Sequence, residues 1–207
     1  MNTDVEKLLS RDLKTSIRVE ISVDAVSITD LNVIEQRQMN RFCHAERRRD
    51  WLRGRRALRS LLLREGLPPD TSRLEFPHAE ISLTHCGDVS ISAGVTGVAG
   101  VGIDYEHWRE VRPRMARWFL SMEEQAWLER LSLPRVGREL LRLWTVKEAL
   151  FKACPQNTGL ALADIHMPNP DKAASVALIP SRKSLCFRYT SLVLETGVLS
   201  LALATEQ

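Results

Sequence analysis

Two stretches of the chain pair acidic or basic side chains at spacings that could handle a phosphate and its cation. In Gly102-Ile103-Asp104-Tyr105-Glu106 the carboxylates stand two residues apart. On a strand such residues share a face, about 6–7 Å apart along the chain. Two carboxylates that close repel unless a cation lies between them. Oxygen-only donors of this kind suit Mg²⁺, which is commonly held by one or two carboxylates plus substrate phosphates. The same pair also fits two solvated acids at a strand end. In Trp144-Thr145-Val146-Lys147-Glu148-Ala149-Leu150-Phe151-Lys152, Trp144, Glu148 and Lys152 are spaced by four and share one helix face. A plain Glu–Lys pair at that spacing contributes only about 0.2–0.5 kcal/mol. Leu140, Leu141, Leu143, Leu150 and Phe151 make this helix apolar, however, so its carboxylate and ammonium are partly desolvated. That setting tunes acids and bases, and Trp144 could close the same spot to solvent.

Two further groups could hold phosphate. Arg47, Arg48, Arg49, Arg53, Arg55, Arg56 and Arg59 crowd one segment, and guanidinium forks match phosphate oxygens. The same density fits a solvated basic face or a nucleic-acid surface, although no interleaved aromatics or binding motif support the latter. Ser82-Leu83-Thr84-His85-Cys86 ends in a histidine that either packs structurally or donates to a phosphate. No Ser/His/Asp triad can be assembled, and Cys86 beside His85 in sequence does not make a nucleophile pair.

These residues need elements to position them. Ile17, Val19, Ile21 and Val23 alternate with polar residues as in a half-buried strand. Residues 45–65 read as a helix, stopped by Gly66 with Pro68 and Pro69. Residues 80–86 and 89–95 read as strands joined by a Gly87-Asp88 turn. Residues 98–105 form a third strand, whose Gly100 and Gly102 mark close approach of another group. Helices are expected over 114–131, with Ser121 as an internal cap, and over 138–153. Strands are expected over 161–167, 175–179, 185–190 and 198–204. Residues 1–16 read as a loose polar start, a short helix at most, and residues 1–40 match no known pattern. No repeat is visible in the residues. The interleaving gives an α/β or α+β class, and the least arbitrary boundary falls between Thr96 and Val101.

The chain has 207 residues, enough for a substantial core. Its 44% hydrophobic and 27% charged content is ordinary for a globular protein and argues against wholesale disorder. A net charge of +3 is no polycation. No apolar run approaches the roughly 20 residues that span a bilayer, and the charged N-terminus leaves no secretory segment. Four cysteines without a CxxC pair indicate neither a zinc site nor a disulfide framework. A cytoplasmic protein with reduced thiols is expected.

The ordered set of motifs resembles the 4′-phosphopantetheinyl transferases, specifically the larger monomeric kind that acts on polyketide, nonribosomal-peptide and siderophore synthetases. Ser82–Cys86 is similar to the family's first motif, Val101–Glu106 to its Gly-Ile/Val-Asp-x-Glu, and Trp144–Lys152 to its Trp-Ser/Thr-x-Lys-Glu-x-x-x-Lys. Residues 119–128 are similar to the segment between the last two, and the match spans roughly residues 45–167. The family's frequent Gly-Lys-Pro element before the histidine motif is replaced here by Ser72-Arg73-Leu74-Glu75-Phe76-Pro77, so its lysine contact is missing or supplied by Arg73.

The resemblance implies an α+β fold of two similar halves, 1–98 and 99–207, related by a pseudo-twofold axis as one integrated monomer, with coenzyme A in the cleft between them. It implies transfer of the phosphopantetheine arm of coenzyme A to a serine of an apo acyl, peptidyl or aryl carrier protein, releasing 3′,5′-ADP. Asp104, Glu106 and Glu124 (preferred to Glu123) would hold Mg²⁺. Glu148 would act as base or orient a water and would also touch the metal, and Lys152 would stabilise the leaving diphosphate. His85, Arg47 and Arg55 would hold the 3′-phosphate, with Thr84 nearby. Neither nucleic acid nor a membrane is an expected partner. The rival readings are a Mg²⁺-dependent nuclease and a non-catalytic nucleic-acid-binding module. The first normally places its acid and lysine two apart on a strand, and the second leaves the carboxylates unexplained.

Overall fold

The computed structural model describes residues 2–207. Helices α1 (Asn2–Leu13), α2 (Val33–Met39), α3 (Ala45–Arg64), α4 (Ala116–Phe119), α5 (Met122–Glu129) and α6 (Leu133–Ala153) accompany seven strands. These are β1 (Arg18–Ser22), β2 (Ile81–Cys86), β3 (Val89–Gly94), β4 (Gly100–His107), β5 (Ala174–Ala177), β6 (Leu185–Val193) and β7 (Gly197–Glu206). All pairings are antiparallel, in one sheet of order β1-β3-β2 and another of order β4-β7-β6-β5. Helices and antiparallel sheets thus make an α+β fold.

The two sheets repeat one connectivity. A strand (β1 or β4) leads to a long helix (α3 or α6), then to a hairpin (β2–β3 or β6–β7) whose second strand returns beside the first. The repeat lies in topology and not in residues, which is why the sequence shows none. α3 packs on β1 and β3, and α6 packs on β4 and β7. Each long helix buries an apolar stripe, Ala57, Leu58, Leu61 and Leu62 on α3 and Leu140, Leu141, Leu143, Val146, Ala149, Leu150 and Ala153 on α6. One core cluster joins the sheets: Ile17, Val19, Ile91 and Ala93 meet Val101, Ile103, Leu199, Leu201 and Leu203.

Several elements differ from the sequence expectation, each for a local reason. The polar N-terminus is helix α1, whose Val5, Leu9 and Leu13 recur every fourth residue and are buried. Its Glu6 accepts from Val19 N at 2.7 Å and pairs with Arg64 at 2.6 Å. The expected helix 114–131 is broken, because Ser121 caps a new one: Ser121 Oγ accepts from Glu124 N, and Glu124 accepts from Ser121 N. α6 starts five residues early, its first turns disguised by Pro134 and Gly137. The expected strand 161–167 is a 3₁₀ turn, Leu162–Asp164, followed by an isolated bridge at His166, since Pro168 and Pro170 cannot donate to a ladder. Helix α2 was not read from the sequence. Among the described residues, no helix is long and apolar enough to cross a membrane.

Candidate active site

Residues 100, 102, 104 and 106 share one face of β4. The first two are glycine because the backbone of α6 lies directly on them. A Cβ at Gly102 would stand 1.9 Å from the Ala149 carbonyl oxygen, and one at Gly100 would stand 1.9 Å from that of Ala153. No side chain fits at either position. This close approach carries Lys152 of α6 to the next residue of the same face: Lys152 Nζ donates to Asp104 Oδ1 at 2.7 Å and to Ile103 O at 3.1 Å. The glycines therefore set the distance between the strand that carries the acids and the helix that carries Glu148 and Lys152.

Asp104 is 7% exposed. Thr84 Oγ1 donates to the same Oδ1 at 3.0 Å, while the buried Oδ2 has no partner among the described residues. Burial pushes the Asp104 carboxyl upward, against the pull of Lys152 and Thr84. Glu148, partly buried, is also pushed up, first by desolvation and then by the charges of Asp104 and Glu106. Glu106 accepts from Arg109 Nε at 3.3 Å and from Cys86 Sγ at 3.6 Å, both on Oε2. Asp104, Glu106 and Glu148 are thus electrostatic neighbours, with negative charge that the nearby cations only partly offset. Among the described residues no three His, Cys, Asp or Glu side chains form a ready-made metal cage. An all-oxygen donor set with one buried oxygen lacking a partner nevertheless fits a hard divalent cation.

Glu124 is not brought to these carboxylates. It is buried, pairs with Lys147 Nζ at 2.6 Å and accepts from Met167 N at 2.8 Å as well as from Ser121 N. Its oxygens tie α5 to α6 and to the 165–167 segment, and both already have protein donors. Burial pushes the Lys147 ammonium down, opposed by Glu124. Glu123 accepts from Ser121 Oγ at 2.9 Å on the exposed side of α5. Thr84 is turned inward, donating to Asp104 and accepting from Tyr105 N at 3.3 Å. The sequence reading missed Cys86 and Lys147; the period-two run of small polar side chains Ser82, Thr84 and Cys86 was the available signal.

His85 is exposed and lines a cleft of about 340 Å³ with Lys152, Asn157, Phe76, Pro77 and His78. The cleft draws on both repeats, β2 from the first and α6 from the second. Arg47 is exposed. Arg55 stacks 4.5 Å over Trp51 and donates to Thr71 O at 3.2 Å, and burial lowers its guanidinium from the usual arginine value. Arg53 donates to Gly87 O, Arg59 pairs with buried Glu35, and Arg64 pairs with Glu6 and Glu20. Much of the arginine-dense helix therefore serves the fold, in place of a continuous free basic stripe.

Residues 100–204 match the family model of the 4′-phosphopantetheinyl transferase superfamily. No curated protein matches the chain. The match opens on the first residue of β4 and contains Asp104, Glu106, Glu148 and Lys152, the groups that the Gly100–Gly102 contact brings together. Covering just over half of the sequence, it establishes that the chain belongs to the 4′-phosphopantetheinyl transferase superfamily, whose members transfer phosphopantetheine.

Proposed function

We propose that the chain transfers the 4′-phosphopantetheine arm of coenzyme A to a serine of an apo acyl, peptidyl or aryl carrier protein, with Mg²⁺ as cofactor, and releases 3′,5′-ADP. The observation that carries this reading is Asp104: buried, held on one oxygen by Lys152 and Thr84, and without a protein partner on the other among the described residues. Asp104, Glu106 and Glu148 would hold the cation, with Glu148 in the place that the sequence reading gave to Glu124. Bound there, Mg²⁺ supplies Lewis-acid neutralisation of diphosphate charge.

The remaining steps belong to side chains of this protein. The serine oxygen bonds to the phosphorus that bears the arm, while the bond to the bridging oxygen breaks and its electron pair leaves with 3′,5′-ADP. Lys152, at the cleft wall, neutralises charge growing on that leaving oxygen. Glu148 accepts the serine proton directly or orients a water that does so. His85, with Arg47 and Arg55, takes the 3′-phosphate. We take residues 1–98 and 99–207 as halves of one integrated unit acting as a monomer; the core the halves share supports the integration.

Incubation with an apo carrier protein, coenzyme A and Mg²⁺, followed by mass spectrometry of the carrier, tests the reading. A gain of one phosphopantetheine is expected, and it should vanish when Mg²⁺ is chelated. No gain across acyl, peptidyl and aryl carriers, together with cleavage of DNA, would establish the nuclease instead.

A further inference from the structure

The open edge of β4 is closed by side chains of β2 and not by a backbone ladder. Ile103 N donates to Ser82 Oγ at 3.0 Å, Tyr105 N to Thr84 Oγ1 at 3.3 Å and His107 N to Cys86 Sγ at 3.4 Å. Odd residues of β4 point their amides at this edge, and alternate residues of β2 answer them, rung by rung. This gives Ser82-x-Thr84-x-Cys86 a physical meaning that neither a phosphate site nor a nucleophile supplies.

Two of the rungs do more. A hydroxyl or thiol that accepts from a backbone amide still has one proton to give. Thr84 gives its proton to Asp104 Oδ1, and Cys86 gives its proton to Glu106 Oε2. In each case a cation meets the same oxygen: Lys152 at Asp104 Oδ1, 2.7 Å, and Arg109 at Glu106 Oε2, 3.3 Å. Both carboxylates are thus clamped in the same way. One oxygen takes a β2 donor and a basic side chain, and the other has no protein donor among the described residues.

We infer that Thr84 and Cys86, assisted by Arg109, are positioning residues that turn the second oxygen of Asp104 and of Glu106 toward a shared cation. This rests on the transferase reading, because it presumes that those carboxylates bind the metal. It differs from that reading in placing the aiming device on β2, outside the strand that bears the acids. A thiol is the weaker donor, so the Glu106 clamp is the looser of the two.

The test measures Mn²⁺ binding to the full-length protein with coenzyme A present, by electron paramagnetic resonance of the free ion, alongside thermal unfolding. Thr84→Val keeps the shape and removes the proton. It should weaken Mn²⁺ about ten-fold, as expected for one hydrogen bond to a charged group, while Thr84→Ser should restore wild-type binding. Cys86→Ala should weaken it about two-fold, consistent with a weak thiol donor, and Cys86→Ser should bind at least as tightly as wild type. Mn²⁺ affinity unchanged in Thr84→Val, whatever its melting temperature, would reduce the ladder to a tie between the sheets and overturn the inference. Should Thr84→Val fail to fold, the Cys86 pair decides by the same criterion: equal affinity in Cys86→Ala and Cys86→Ser overturns it. Failure of the wild type to bind Mn²⁺ removes the metal site and this inference together. Wild-type binding and transfer with indifferent variants removes the inference alone.

Discussion

Replacing Glu124 by alanine separates a buried structural ion pair from a metal ligand. Lys147 has no exposed side-chain surface, and its Nζ lies 2.6 Å from Glu124, itself almost fully buried. Removing one partner of such a pair leaves an uncompensated buried charge and costs about 3–5 kcal/mol. In a chain of this length each kcal/mol lowers the melting temperature by about 2–4 °C, so a loss of about 6–20 °C is expected. The loss should fall in the upper half of that range, because Met167 N and Ser121 N also lose their acceptor. Glu124→Leu combined with Lys147→Met should recover most of it, since a buried pair replaced by apolar groups of similar volume is often near neutral. Recovery should be incomplete, as the two amides stay unsatisfied. Calorimetry gives the melting temperatures, and Mn²⁺ titration at a temperature where the variant is folded gives metal affinity. A Glu124→Ala protein that melts within about 2 °C of wild type but no longer binds Mn²⁺ would refute the reasoning and restore Glu124 as a ligand.

Gly102→Ala should not yield a soluble folded protein, because its Cβ would stand 1.9 Å from the Ala149 carbonyl and neither backbone can retreat without parting β4 from α6; a folded variant of wild-type stability would contradict that packing. Glu148→Gln concerns a carboxyl held above its ordinary value of 4.5. The folded state therefore binds this proton more tightly than the unfolded chain does, and stability falls as pH rises through the window above that value. Without metal, Glu148→Gln should melt higher than wild type at pH 7, the gap should close as pH falls toward about 4.5, and saturating Mg²⁺ should reverse the order; a variant that melts lower than wild type at pH 7 without metal would contradict the charge crowding. Arg55→Ala should weaken coenzyme A about ten-fold and dephospho-coenzyme A hardly at all, measured by isothermal titration. Equal losses for both would remove Arg55 from the 3′-phosphate.

Strand β4 was legible because its signals are local. Glycines at 100 and 102 announced a close approach, and acids at 104 and 106 announced one face, and both are properties of period two alone. The site's other wall was legible from the helical spacing of Glu148 and Lys152. What stayed hidden depends on contacts distant in sequence. Glu124 lies in a capping box that any helix start could use, and only the fold shows that Lys147, 23 residues on, turns to it and away from Glu148. The resemblance set Thr84 near the 3′-phosphate beside His85; alternation along β2 sends the two side chains to opposite sides, Thr84 inward to Asp104 and His85 outward. α1 was hidden by composition, its three buried apolar residues standing in a largely polar segment.

The repeated connectivity explains why the chemistry sits where it does. A single strand–helix–hairpin unit leaves the outer edge of its first strand unpaired, and in the second unit that edge is β4, which bears Asp104 and Glu106. An unpaired edge beside a buried acid and a half-buried one has amides to satisfy and charges to offset. β2 of the first unit does both with the same side chains, while Lys152 satisfies the Ile103 carbonyl on that edge and the Asp104 charge together. At this seam the demand for backbone partners and the demand to offset carboxylate charge have a common solution. The segment that matches the family model, residues 100–204, does not hold all the donors to its own acids: Thr84 and Cys86, which donate to Asp104 and Glu106, lie on the other unit.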